Sequence, residues 1–138
     1  MPHPGHSRLD EWAVNSPDLA PQLRAHLAAG GRYPTWGDDD LHAIIPDDRR
    51  RADVLAELHP RPLAFFDENF PDSPGWPDAP CAYLRFTASY DRPAKEARAR
   101  GWPVRAFNAG HFHQLVAPEA VTEALLALAF QAGMAKQG

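Results

Sequence analysis

CAYLRFTASYDRPAKEARARGWPVRAFNAGHFHQLVAPEAVTEALLAL, residues 81–128, alternates two strand patterns with two helix patterns. CAYLRFT is rich in strand formers and apolar on both sides apart from Arg85. That composition suits a strand buried on both faces, as in a parallel sheet. DRPAKEARARG then reads as a helix, with Pro93 near its start and Gly101 past its end. WPVRAF is a second strand. The turn Asn108-Ala109-Gly110 leads to His111, His113 and a final helix with Val121, Leu125 and Leu128 on one stripe. Strand, helix, strand, helix with short connections implies a right-handed parallel crossover, so residues 80–138 predict a β-α-β-α unit and an α/β fold.

Upstream the character differs. The chain has 15 prolines among 138 residues, about twice the usual share, which predicts short elements and long ordered connections. Residues 1–15, with Pro2, Pro4 and Gly5, read as loosely ordered. Ser16-Pro17-Asp18 reads as a helix start, Ser16 being the N-cap. Leu19, Leu23 and Leu27 share a face, and Gly30-Gly31 ends the helix. Asp38-Asp39-Asp40 precedes a short helical piece reaching Ile44 and Ile45. Asp47 or Asp48 opens another helix, whose apolar face is Val54, Leu55 and Leu58. PLAFFDENF is a helical turn packed on something larger. The chain reads as one domain, 1–138, with a helical region over 1–79.

Net charge is −4 and 44% of residues are hydrophobic. Such a chain is not built for nucleic acid or an anionic membrane. No apolar run approaches the roughly 18 residues of a transmembrane helix, and MPHPGHSRLDEW has no hydrophobic signal core. The single cysteine, Cys81, excludes an internal disulfide and fits a reducing cytoplasm.

The run from GWPDAPCAYLRFT to GWPVRAFNAGHFHQLVAPEAVTEALLAL resembles the C-terminal part of α/β-hydrolase-fold proteins, and of small bacterial esterase-like members in particular. The resemblance implies a loop bearing the triad acid after a late strand, then a helix, a last strand and a Gly-His turn. Ala109-Gly110-His111 matches that turn, Pro118-Glu119 matches the start of the final helix, and residues 16–72 match the helical cap. It also implies a nucleophile elbow, G-x-S-x-G, and the sequence contains none. Its serines are Ser7, Ser16, Ser73 and Ser89. Gly5-His6-Ser7 imitates half an elbow, but Leu9 stands in place of the second glycine. The chain therefore reads as a truncated α/β-hydrolase-like protein, whether a natural short gene, a remnant or a fragment.

His111 is the candidate general base, since an imidazole exchanges protons near neutral pH; the alternative is a turn histidine bonded to nearby backbone. By its place after CAYLRFT, Asp91 is the acid that would orient His111, or simply the cap of the helix near Pro93. Asp78 precedes the strand and is the weaker acid. His113 would line the pocket beside His111 or pack. The His-x-His pair lacks the further ligand a zinc site needs, and the nearest others, His3 and His6, lie on the terminus; no metal or other cofactor is expected. Cys81 reads as a small buried residue. Trp36, Phe65, Phe66 and Trp76, with Phe70, either floor an apolar substrate site or form core.

Two functions fit. One is a His111–Asp91 acid/base catalyst of lyase, cyclase or isomerase type on a small, apolar, carbonyl-containing molecule. The other is a non-catalytic binding or assembly module, or the remnant of an esterase-like hydrolase. Serine esterase activity from this chain alone is not expected. Two parallel strands leave an open edge, which predicts a homodimer or a complex with a separate nucleophile-bearing chain.

Overall fold

A computed structural model describes residues 3–134. Its N-terminal stretch is ordered by a capping box. Asp10 N donates to Ser7 Oγ (3.1 Å), while Ser7 N and Oγ both donate to Asp10 Oδ2 (2.8 Å each). These bonds satisfy donors that a helix start leaves open, and α1 runs Arg8–Asn15. The expectation of a loose stretch over 1–15 is thus corrected from Gly5 onward: Gly5 N and Phe70 N bond Phe70 O and His6 O, tying the chain down ahead of the cap. Ser16 closes α1, its N–H donating to Trp12 O, instead of capping the next helix. That helix, α2, spans Ala20–Ala28 with Pro21 in its first turn.

Leu9, Leu23, Leu27 and Phe66 form a core cluster, with Trp12, Tyr33 and Leu63 packed against it. Burying each of the four is worth about 1.5–3 kcal/mol. Leu19, expected on the same stripe, is exposed, and Ala20 takes the buried position. The helix begins one turn later than Ser16 suggests, so its inward face rotates. Two short helices follow, α3 over Asp38–Leu41 and α4 over Asp48–Ala56, the latter capped by Asp47. Buried Arg51 joins them, donating to Asp38 Oδ1 (2.7 Å), Asp48 Oδ1 (2.8 Å) and Ile45 O (2.9 Å). Val54, Leu55 and Leu58 are only half-buried. Helix α5 is the expected turn, Leu63–Asp67.

The C-terminal part has the expected alternation. Strand β1 (Tyr83–Arg85) pairs in parallel with β2 (Val104–Ala106), Leu84 opposite Arg105. Helix α6 (Asp91–Ala99) crosses between them after a 3₁₀ turn over Ala88–Tyr90. It ends in a Schellman pair: Trp102 N–H to Ala97 O (3.0 Å) and Gly101 N–H to Arg98 O (2.9 Å). Gly101 has φ +75°, which glycine takes without steric cost. The short α7 (His113–Val116) and the long α8 (Pro118–Met134) complete the chain. Both α6 and α8 pack on the two strands.

Two expectations change here. Residues 81–87 are all half-exposed, so β1 is not buried on both faces. A sheet of two three-residue strands leaves an open edge on each side, and no further strand among the described residues pairs with it. On α8 the buried stripe is Val121, Ala124, Leu128 and Ala132, while Leu125 lies outside it. No helix among the described residues is long and apolar enough to cross a membrane.

Candidate functional site

The strand ladder continues past the strands and builds the site. Phe107 N donates to Arg85 O (2.8 Å) and Ala109 N to Phe86 O (3.0 Å), which lays the loop after β2 across the carboxyl end of β1. Gly110 then passes Ile44 so closely that a Cβ would sit 2.8 Å from Ile44 Cγ2. This is the physical reason for glycine in the Gly-His turn. The helical region holds the far side of the loop: Trp36 meets Phe112 edge-on at 5.7 Å, and Arg50 Nη1 donates to Leu115 O.

His111 emerges from this turn at the wall of a cleft of about 490 Å³, lined by Tyr83, Arg85, Tyr90, His111, Gln114 and Leu125 among others. Crevices at the carboxyl ends of parallel strands are where open α/β sheets bind ligands. The His111 ring stacks on Tyr90, centroids 5.9 Å apart and 17° from coplanar, with Phe112 edge-on at 5.3 Å. Among the described residues the side chains of His111 and Gln114 have no hydrogen-bond partner, so their polar atoms are available to a ligand. Burial, with Tyr90 and Glu96 nearby, raises the Tyr83 phenol above its ordinary value, so it is protonated at neutral pH.

The expected His111–Asp91 hydrogen bond is not formed. Asp91 is the first residue of α6, and its Oδ1 accepts from Arg85 Nε; Arg85 Nη1 also donates to Phe107 O (3.0 Å). Arginine's planar fork suits a carboxylate and a carbonyl at once, and Arg85 points from β1 straight at the first turn of α6. Of the candidate site residues expected from the sequence, only His111 lines the cleft. His113 packs against Phe86 (5.8 Å) and Phe107 (5.0 Å). Trp36 bridges Tyr33 and Phe112. Phe66 is core, and Phe65 lies under the Arg8 guanidinium at 4.2 Å. Trp76 is exposed, edge-on to Trp102 at 5.7 Å. Asp78 is exposed, and Cys81 is half-exposed with its thiol 3.4 Å from Ala79 O.

Tyr90 and Gln114 were not singled out in the sequence. Their signal was position: Tyr90 ends the segment after β1, and Gln114 sits three residues beyond His111. Ser7 has both its hydroxyl hydrogen bonds committed to the α1 cap.

No family model matches the chain, and no match was found among the curated proteins or the solved structures.

Proposed function

We propose that the chain binds a small, largely apolar, carbonyl-containing molecule in the cleft above the strand ends, with His111 as the proton-transfer group. The reaction class is proton abstraction or return beside a carbonyl, as in a lyase, cyclase or isomerase, within a truncated α/β-hydrolase-like fold. One observation carries this reading: the loop after β2 delivers an unbonded imidazole to a cleft that runs along β1 to its carboxyl end, with α8 as the other wall. Leu84, Phe86, Val121 and Leu125 supply apolar wall. Arg85, Tyr90 and Gln114 supply donors for a carbonyl oxygen. The test follows α-proton exchange of small apolar ketones in D₂O by NMR. The expected result is exchange faster than buffer, falling about 10²–10⁴-fold in His111→Ala. Exchange at the buffer rate in the unaltered protein defeats the reading.

An assembly role is the second reading, supported by α8. Leu126 and Phe130 are 67% and 70% exposed one helical turn apart, beside the small residues Ala129 and Gly133. An apolar groove of about 360 Å³ between β1 and α8 adjoins them. The partner proposed is a second copy packed α8 against α8 about a two-fold axis. Light scattering after size exclusion is then expected to give twice the 15.3 kDa chain mass, and half of that for Phe130→Asp. A monomer at micromolar concentration refutes the dimer, and co-purification of a serine-elbow protein instead points to a nucleophile-bearing partner.

A further inference from the structure

The turn ahead of α1 gathers a second group of chemistry-bearing side chains, far in sequence from His111. His3 Nδ1 lies 2.8 Å and His6 Nδ1 3.1 Å from the same oxygen, Glu11 Oε1, and the His3 backbone N–H donates to it at 2.8 Å. Ligand atoms of all three side chains lie within 4.8 Å of one another. Glu11 is only 8% exposed, whereas both imidazoles are close to half-exposed and leave one side of the cluster open to solvent.

The cluster is held from two directions. Glu11 sits in the first turn of α1, which the Ser7–Asp10 box fixes. The two histidines sit on a turn closed by His6 N to His3 O (3.0 Å) and pinned to the 69–70 segment by Gly5 N to Phe70 O (3.0 Å) and Phe70 N to His6 O (2.8 Å). Two imidazoles and one carboxylate are a donor set of zinc and its first-row neighbours. In a tetrahedral site with bonds near 2.1 Å, ligand atoms stand roughly 3.4 Å apart. Each Glu–His separation then opens by a few tenths of an ångström, while the two rings draw together. Each neutral imidazole coordinates through Nδ1, its ring proton residing on Nε2.

We infer that His3, His6 and Glu11 form a binding site for a divalent transition-metal ion, zinc being the best fit, with at least one coordination position open to water. The carboxylate supplies one negative charge to the ion, and its burial strengthens that attraction. Because the ion bridges the terminal turn to α1, binding also stabilises the fold. This site is independent of the His111 cleft.

The experiment is calorimetric titration of Zn²⁺ into tag-free, chelator-stripped protein, with thermal melting alongside. One ion per chain is expected, with a higher melting temperature. His3→Gln and His6→Gln, at half-exposed positions that keep α1 capped, are each expected to weaken binding at least about tenfold. His111→Ala and His113→Ala are expected to bind zinc unchanged. The inference is overturned if no stoichiometric binding occurs, or if both glutamine variants fold by circular dichroism and bind as the unaltered chain does.

Discussion

Replacing Ser7 by alanine separates two roles that the sequence GHSRLDE leaves open. As a nucleophile, Ser7 would need a free hydroxyl. Instead the hydroxyl accepts from Asp10 N at 3.1 Å and donates to Asp10 Oδ2 at 2.8 Å, and the residue is 5% exposed. Losing an N-cap hydroxyl costs about 1 kcal/mol, within a range of roughly 0.5–2. The upper half of that range applies, because α1 carries Leu9 and Trp12 into the core and holds Glu11 against both terminal histidines. For 138 residues the entropy of unfolding is roughly 0.3 kcal/mol per kelvin, so Tm falls by about 4–7 °C. Ser7→Gly is expected to lose only a few tenths of a kcal/mol through the cap itself. Circular dichroism melts measure both variants, and a fluorophosphonate probe tests the hydroxyl directly. An unchanged Tm in Ser7→Ala, together with probe labelling at Ser7, refutes the capping role.

Gly110→Ala is expected to destabilise by about 1–3 kcal/mol, since its Cβ would stand 2.8 Å from Ile44 Cγ2. Adding Ile44→Ala removes the clash and should make the pair less costly than the sum in urea unfolding; strict additivity would show that the two do not touch. Burial pushes the Glu11 carboxyl up, but the backbone and ring bonds from His3 and the charges of His3 and His6 outweigh it and hold it below its ordinary value. A depressed folded value means stability that is present above about pH 4.3 and lost as pH falls through the folded value. Glu11→Gln is expected to flatten the acid limb of a stability–pH curve, and an unchanged limb would rule the linkage out.

Local rules were legible in the sequence where the signal was itself local. The β-α-β-α order, the Gly101 stop and the Asp47 cap follow from residues a few positions apart. The reading failed at Ser7, where the box Ser7-x-x-Asp10 was present but the prolines before it suggested disorder. It failed on β1 because a strand's composition reports what it can bury, while neighbouring strands decide what it does bury. The His111 turn was visible as Gly-His before a Pro-Glu helix. The His3–His6–Glu11 cluster was not, because its spacing places the three side chains together only once α1 is known to start at Arg8. Phe65, Phe66 and Trp76 show the limit of reasoning from residue type: an aromatic ring fits a ligand wall and a core equally well until its neighbours are known.

Arg85 decides what His111 can do. It projects from the end of β1, its side chain is largely buried, and it donates through Nε to Asp91 and through Nη1 to Phe107 O. Asp91 gains from that bond and from its place at the positive end of α6. A carboxylate so engaged neutralises Arg85 instead of an imidazolium. His111 is steadied by stacking on Tyr90, which fixes the ring plane without choosing a tautomer. In the reaction proposed above, proton transfer at His111 would then run without carboxylate assistance, and the cleft's donors would carry the charge that develops on a carbonyl oxygen. This leads to a sharp contrast between two variants in the ketone exchange assay. Asp91→Asn keeps an acceptor for Arg85 and is expected to leave the rate within about threefold, whereas neutralising the acid of a serine-type triad costs roughly 10⁴-fold. A loss of that size in Asp91→Asn, with an unchanged melting temperature, would mean that Asp91 leaves Arg85 and turns to His111 when substrate is bound.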